Sequence, residues 1–427
     1  MLAASLLAFW GVWRWARVVF SPANTAKVLA AKRPIGNHSD LYVRWLGTRE
    51  LLLHRRDPYS VEITREGQIG FYGRPLDRNN PADPVEQESF VYPLYVVFLL
   101  APLAGLSFAA MAEIFRWLLL ASIALSVPLW MWAIGPRSKW WLVLSGMLLA
   151  AGSYPAVEEF FQQNLTALVI LFLAAAAAAA VGNWLTLCGF LLAVATAKPD
   201  TTGLLVAWFL FWAIAEWRQR WRLIASFAAT MGILLMAAQA LSPGWIGRFI
   251  AAVREYPTYN QESSVLSVLL PGPVAKLAIA GLIACLIVAW WRWRRAPAGS
   301  TDFAMALAWG CAVTLVVLPK LAAYNQLLLV PVVLLLIHRY EEAIQHNIFA
   351  RAFTKAAFLC LIWQWLAAVA LSIWSLLTSP ALLRGTADAP LYTLLALPPL
   401  ATLAVAAMTW SGSITGRKRA TFYSTNP

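Results

Sequence analysis

Charge is scarce in this 427-residue chain. Only 12% of its residues are Asp, Glu, Lys or Arg, roughly half the share usual in a soluble globular protein. Cysteine is rarer still. The four present, Cys188, Cys285, Cys311 and Cys360, lie in apolar stretches without a CxxC pair. That excludes a disulfide scaffold and a cysteine metal site, and leaves them as small core residues. The four histidines, His38, His54, His338 and His346, show no ligand spacing. A DxD pair, an HExxH helix motif and a glycine-rich phosphate loop are all missing, so a nucleotide-sugar or metal-first enzyme has no support. Together these absences exclude an ordinary soluble enzyme, a disordered chain and a nucleic-acid-binding domain.

Hydrophobic residues are what the chain has, at 61% with a mean hydropathy of +0.66. A membrane-spanning helix needs about 20 mostly apolar residues. Thirteen apolar runs can be marked, at about 1–20, 91–108, 115–134, 140–157, 164–182, 184–197, 203–215, 222–241, 271–291, 302–318, 322–338, 353–377 and 391–410. The expectation is one all-α polytopic membrane domain over residues 1–427, with about 12 transmembrane helices. In the first run the charges Arg14 and Arg17 follow the apolar part, whereas in a signal peptide they precede it, so this run reads as the first crossing. The 23 tryptophans mostly flank apolar runs, as an interfacial aromatic belt does. The alanine-rich run 174–180 reads as a close-packing helix.

The net charge is +13. Basic clusters at Arg218-Gln219-Arg220-Trp221-Arg222, Arg292-Trp293-Arg294-Arg295 and Arg417-Lys418-Arg419 read as cytoplasmic loops facing anionic lipid. They do not read as a nucleic-acid surface. Two polar stretches then fall outside, 21–88 and 242–270. The first holds nine of the 20 acidic residues and ten of the 33 Lys and Arg. A long polar stretch with nearly balanced charge reads as a folded functional loop. The count carries a parity problem: three apolar runs separate 21–88 from Gln162, where an even number of crossings is needed. The Phe90-Val91-Tyr92-Pro93 run is the expected exception, because proline near its start disfavours a regular helix.

Charged groups at a membrane are costly and mark function. Asp40 opens a stretch of helical spacing in which Leu41, Trp45, Leu51 and Leu52 share an apolar side. Such a helix would lie along the membrane surface. Asp40 is then a simple helix cap or a functional carboxylate. Glu158-Glu159, beside two phenylalanines, is a second acid, a metal contact or a cap. Lys198 before Pro199 is a phosphate contact or an end-of-helix lysine reaching for water. Arg44, Arg49, Arg248 and Arg254 are phosphate contacts or solvated charges. Asn164, Tyr256, Tyr259, Asn260 and Gln261 are residue types that contact sugars or fold loops.

Several of these residues resemble one family in order and spacing. Asp40-Leu41-Tyr42-Val43, Asp57-Pro58-Tyr59 and Phe90-Val91-Tyr92-Pro93 look like the first-loop signature of glycosyltransferase family 87. Gln162-Gln163-Asn164 before an apolar run, Ala197-Lys198-Pro199, and Asn260-Gln261-Glu262-Ser263-Ser264 are similar to later motifs of that family. The resemblance covers about residues 38–340. It departs at Pro319-Lys320-Leu321-Ala322-Ala323-Tyr324-Asn325-Gln326, where the family commonly carries a histidine. Lys320 is the cation there.

The resemblance implies a GT-C fold whose first extracytoplasmic loop carries interfacial helices. It implies an inverting transfer of mannose, arabinofuranose or a similar sugar. The donor would be a polyprenyl-phosphate sugar, and the acceptor a glycolipid or glycan of the envelope, reached from the extracytoplasmic side of the plasma (inner) membrane. Asp40 would be the general base. Lys198, Lys320, Arg44 and Arg254 would face the donor phosphate. Asn164, Glu158, Glu159, Tyr256, Tyr259, Asn260 and Gln261 would be substrate contacts. No cofactor is called, and a metal requirement stays open. Two other readings remain, a transporter or lipid flippase and a catalytically silent scaffold. The gathering of polar residues into two outer loops, rather than at mid-helix, favours the enzyme.

Overall fold

A computed structural model describes residues 1–30, 36–77, 80, 83–135, 138–259, 263–319, 321–341 and 348–411. All regular structure among them is helical, as the apolar periodicity requires. Four helices are long and apolar enough to cross a bilayer: Phe108–Ile134, Trp217–Leu241, Gly272–Trp293 and Ile348–Leu377. Trp140–Ala151 and Tyr154–Gln162 make a fifth crossing if counted as one helix bent by 56°. Seven further apolar helices have only 10–17 residues. Of the dozen or so transmembrane helices expected, four, or five with the bent pair taken as one, reach that length among the described residues.

In chain order, α1 (Leu2–Trp15) passes through a π-helical turn (Ala16–Phe20) into α2 (Ser21–Ala30). Two helices, α3 (Leu41–His54) and α4 (Val61–Tyr72), occupy the first polar stretch. Then come α5 (Phe108–Ile134), α6 (Trp140–Ala151), α7 (Tyr154–Gln162), α8 (Thr166–Val181) and α9 (Leu185–Ala195). They are followed by α10 (Pro199–Ala215), α11 (Trp217–Leu241) and α12 (Trp245–Tyr259). The last are α13 (Gly272–Trp293), α14 (Thr301–Val317), α15 (Leu329–His338), α16 (Ile348–Leu377) and α17 (Leu397–Ser411).

The first helix packs into the bundle. Trp13 Nε1 donates to Ala151 O at 3.0 Å, and Ser372 Oγ donates to Gly11 O at 2.5 Å. The helical path does not stop at residue 20. It continues to Ala30, where Lys27 pairs with Asp388 at 2.8 Å; the end of α1 is tied to the same segment by Trp15 Nε1, which donates to Ala387 O at 3.0 Å.

Helix α3 packs against protein on more sides than its single apolar stripe suggests. Leu41, Val43, Arg44, Leu46, Gly47, Thr48, Glu50 and Leu51 are all buried, so protein covers more than one face. The reason is local. Phe90 and Pro58 press against Gly47, where an added Cβ would come within 2.7 Å of Phe90. Arg49 donates to Ala104 O and Leu106 O at 3.3 and 3.2 Å. Arg56 clamps the loop by pairing with Glu50 at 2.9 Å and Glu66 at 2.5 Å. Near the loop's end, hydrogen bonds from Arg74 hold the Asp83 carboxyl below its ordinary range.

The segment after the polar stretch is broken as its proline suggests. Leu94–Leu103 is ten residues of 3₁₀ turn, one α-helical turn and 3₁₀ turn again. At about 1.5–2 Å per residue it covers roughly half a hydrocarbon core. The 56° bend between α6 and α7 is a second interruption in the same stretch of chain.

The core is the inner bundle. Ala174, Ala176, Ala177, Ala179 and Ala180 are all buried on α8, so the alanine run is a packing surface. The tryptophans divide, and the belt reading holds for only part of them. Trp15, Trp130, Trp208, Trp212 and Trp309 are among the largest fully buried side chains, while Trp140, Trp184 and Trp291 are exposed. The cysteines divide likewise: all four are free, Cys188 and Cys311 are core residues, and Cys285 is exposed.

Tight packing of α9 on α11 rests on Gly189, where a Cβ would fall 2.2 Å from Leu223 O. Gly189→Ala should force these helices apart and lower the thermal midpoint of the purified protein. Gly232→Ala on α11 has nothing within 4 Å of its new methyl. It should leave the midpoint unchanged or raise it, since alanine is favoured over glycine inside a helix by about 0.5–1 kcal/mol.

Candidate active site

Four helix ends and two turns meet at one place. Helix α3 begins there at Leu41 and α8 at Thr166; α7 ends there at Gln162; and α10 begins there at Pro199, after the turn that closes α9. A 3₁₀ segment, Ala323–Leu328, arrives from the far end of the chain. Helix ends leave backbone groups unsatisfied, so polar side chains collect at them.

Asp40 stands at the start of α3, yet its side chain makes no capping bond. Its Oδ2 instead accepts from Asn164 Nδ2 at 2.6 Å and from the Tyr324 hydroxyl at 3.5 Å. Its backbone N–H donates to Gln162 O at 2.8 Å. Ser39 Oγ donates to Gln163 Oε1 at 2.7 Å, so the approach to α3 is stitched to the end of α7. Gln163 has a φ of 57°, in the left-handed region. A helix usually ends that way with glycine or asparagine. Here bonds at both ends of the glutamine side chain offset the strain: Oε1 accepts from Ser39, and Nε2 donates to Ala112 O at 2.5 Å. The turn aims Asn164 at Asp40.

Below Asp40 a buried polar chain continues inward. Asn164 Nδ2 also donates to the Tyr324 hydroxyl at 3.1 Å, and Thr166 Oγ1 donates to Asn164 Oδ1 at 3.2 Å. Lys198 Nζ donates to Thr166 Oγ1 at 2.5 Å and to Asn325 Oδ1 at 3.2 Å, and lies 4.9 Å from the Tyr324 ring centre. Asn164, Thr166, Lys198, Tyr324 and Asn325 are each no more than 2% exposed; Asp40 is half-buried. Asp40 is thus the point at which this buried chain meets the outside.

The two glutamates anchor the same helix ends. Glu158 Oε2 accepts from the Tyr324 N–H at 2.7 Å, and Glu159 Oε1 accepts from the Ala167 N–H at 2.8 Å. The second bond places a carboxylate at the positive end of α8. Among the described residues Glu159 Oε2 has no hydrogen-bond partner, although Lys198 and Arg44 act on this carboxyl electrostatically.

Arg44 lies on the other side of Asp40 and joins the first-loop motifs. Its Nη1 donates to Asp40 O at 2.7 Å, its Nη2 donates to the Tyr92 hydroxyl, and its guanidinium lies 4.3 Å from the Tyr92 ring centre. The Tyr59 hydroxyl donates to Tyr92 O at 2.6 Å. Asp57 pairs with Arg248 of α12 at 2.9 Å, which fixes the second polar stretch against the first. Trp245 and Tyr95 meet beside that pair with ring centres 6.1 Å apart.

The sites expected from sequence are therefore partly brought together. Asp40, Arg44, Glu158, Glu159, Asn164 and Lys198 form one cluster. Lys198 and Arg44 are buried with protein partners rather than open to an incoming phosphate. Arg254 is exposed on α12 and Tyr256 half-buried there. Tyr259 closes α12, but its side chain, like Asn260, Gln261 and Lys320, lies outside the described residues. Thr166, Tyr324 and Asn325 are not among the site residues expected from sequence; Tyr324 and Asn325 stand near the start of the apolar run 322–338, where their polar groups are the signal that could have found them.

This arrangement defines a multi-helix membrane protein with a carboxylate site where short inner helices end. The model of Glycosyltransferase family 87 matches residues 90–319, which is 230 of 427 residues, and the chain belongs to that family. It is by that membership a membrane glycosyltransferase. No curated protein and no solved structure matches it. The matched stretch contains Tyr92, Glu158, Glu159, Asn164, Thr166 and Lys198. Asp40 and Tyr324 lie outside it and join these residues through the contacts above.

Tyr92→Phe removes one acceptor from the buried Arg44 guanidinium. Leaving a buried donor unsatisfied costs about 1–3 kcal/mol. The variant should unfold at lower temperature than the wild type, and an unchanged midpoint would mean that Arg44 finds another acceptor.

Proposed function

We propose that this glycosyltransferase moves a sugar from a polyprenyl-phosphate donor to a hydroxyl of a lipid-linked or envelope glycan, with inversion, on the extracytoplasmic side of the membrane. Asp40 is the general base. The observation that carries this reading is the Asp40 carboxylate: half-buried, with one oxygen held by Asn164 at 2.6 Å and no capping bond that would occupy it otherwise.

The step is a single displacement. The acceptor hydroxyl gives its proton to the Asp40 carboxylate as its oxygen bonds to the anomeric carbon. The bond from that carbon to the phosphate oxygen breaks on the opposite face, and its electron pair leaves with the polyprenyl phosphate. Asn164 and Tyr324 both donate to Oδ2, which leaves Oδ1 to take the proton. A base fixed in this way takes the proton without reorganisation. The leaving phosphate gains negative charge and needs a facing cation. The guanidinium of Arg44 is bound to Tyr92 and to the Asp40 backbone, and Lys198 is buried below. They hold the base and add positive potential from a distance. Arg254 and Lys320 are the residues proposed for direct phosphate contact. Asn260, Gln261, Tyr256 and Tyr259 remain proposed sugar contacts.

The test uses membranes containing the wild type or Asp40→Asn, supplied with labelled polyprenyl-phosphate sugars and a native lipid extract. Transfer should fall about 10²–10⁴-fold in the variant, the usual contribution of a positioned acid or base. Near-normal transfer by a folded Asp40→Asn protein would remove Asp40 from the chemistry.

The two donors to Asp40 should differ in weight. Asn164→Ala should lower kcat strongly with little change in KM for the donor. Tyr324→Phe, which loses a 3.5 Å contact to Asp40 and one to Asn164, should lower it less. A dominant KM effect in Asn164→Ala would make Asn164 a substrate contact instead.

A further inference from the structure

Helix α9 has Lys198 just beyond one end and a cavity at the other. The cavity has a volume of about 520 Å³ and is bounded by the turn 183–187 and the first turn and a half of α11, with Arg218, Arg222, Trp184 and Trp221 among its lining residues. At about 1.5 Å per residue, the eleven residues of α9 separate it from the Asp40 cluster by roughly 16 Å or more.

The run Arg218-Gln219-Arg220-Trp221-Arg222 is divided by helical geometry. Arg220 turns inward, where its Nη1 donates to Trp212 O at 2.7 Å and its Nη2 to Ala296 O at 3.1 Å, with the guanidinium 3.7 Å from the Trp212 ring centre. That arginine is structural. Arg218 and Arg222, four residues apart, share the other face and are exposed. Neither has an acidic partner or a recorded hydrogen bond among the described residues, so two guanidinium groups point at one cavity with their charge uncompensated.

The rim is built for the membrane boundary. Trp184 and Trp221 are 68% and 49% exposed; Leu187, which also lines the cavity, is exposed on α9, and so is Phe190 three residues further on. Exposed tryptophans above an apolar flank place a site at headgroup level. The turn does not depend on the arginines: Asn183 is left-handed at a φ of 58°, and the Trp184 N–H donates to Ala179 O at 2.8 Å.

We propose that this cavity binds the phosphodiester headgroup of an anionic phospholipid. Arg218 and Arg222 hold the phosphate, and the acyl chains lie along the exposed side of α9. Arginine suits that role because its planar fork can pair two phosphate oxygens. The site serves a lipid of the surrounding bilayer and is separate from the donor site at Asp40.

Native mass spectrometry of the full chain in detergent tests this. The probes are phosphatidylglycerol, phosphatidylcholine and inorganic phosphate at equal concentration. The expected result is one retained phosphatidylglycerol per wild-type chain, with phosphatidylcholine and phosphate not retained. Arg218→Gln/Arg222→Gln should weaken retention roughly thirtyfold, given the usual attraction of two basic residues for an anionic lipid surface. Arg65→Gln/Arg384→Gln removes the same charge at exposed positions outside the basic clusters and should stay within about twofold of wild type. Equal retention of phosphatidylcholine, retention of phosphate in place of lipid, or an equal loss in the control pair would overturn the proposal. The comparison of lipids on the wild type stands even if a variant does not fold.

Discussion

The hydrogen bond from Asn164 to Asp40 is the constraint on which the site depends. A carboxylate at the start of a helix would ordinarily turn back and cap it. In this chain it is drawn away, towards a buried amide that is itself fixed by Thr166 and Tyr324. Each member of the chain is held by the next, down to Lys198 and Asn325. A buried network of this kind rigidifies when its members are satisfied and is costly when one is removed. Asp40, its half-buried end, therefore takes its orientation from residues that no substrate need touch.

Short inner helices are what make room for that network. A helix facing lipid has to carry its hydrogen-bonded backbone across the whole hydrocarbon layer. One enclosed by other helices can stop early, because protein groups satisfy its ends. Helices α8, α9 and α10 are of the second kind, with 16, 11 and 17 residues, and each begins or ends at the Asp40 cluster. The four long helices vary in exposure: the hydropathic window of Trp217–Leu241 is 11% buried and that of Gly272–Trp293 22%, against 44% for Phe108–Ile134. Length and burial are thus divided between an outer scaffold and an inner group that carries the polar residues.

Much of this was legible from residue types and spacing. The helical class followed from hydropathy, the broken segment at 94–103 from Pro93, and the α3 start from Asp40. Arg44, Glu158, Glu159, Asn164 and Lys198 were recognisable because charged or amide groups at the edge of apolar runs are expensive and need a reason. The burial of α3 was not legible. Its apolar side reads as a surface stripe until Phe90 and Pro58 are known to sit on Gly47. The roles of Tyr324 and Asn325 were equally hidden, since nothing local to residues 323–328 points at a carboxylate 284 positions earlier. Apolar runs report exclusion from water, and protein interior excludes water as well as lipid does, so hydropathy marks the short inner helices and the long ones alike.

That separation in sequence has a consequence for how the protein is made. Asp40 leaves the ribosome early, while the tyrosine and asparagine that complete its surroundings follow only after most of the bundle has been synthesised. Until Tyr324 and Asn325 arrive, Lys198 lacks one of its acceptors and Asn164 lacks the tyrosine hydroxyl it bonds. The nascent chain can insert its outer helices in order, but it holds no finished site at any intermediate stage. The network around Asp40 is therefore completed late, when the 3₁₀ turn ahead of α15 docks.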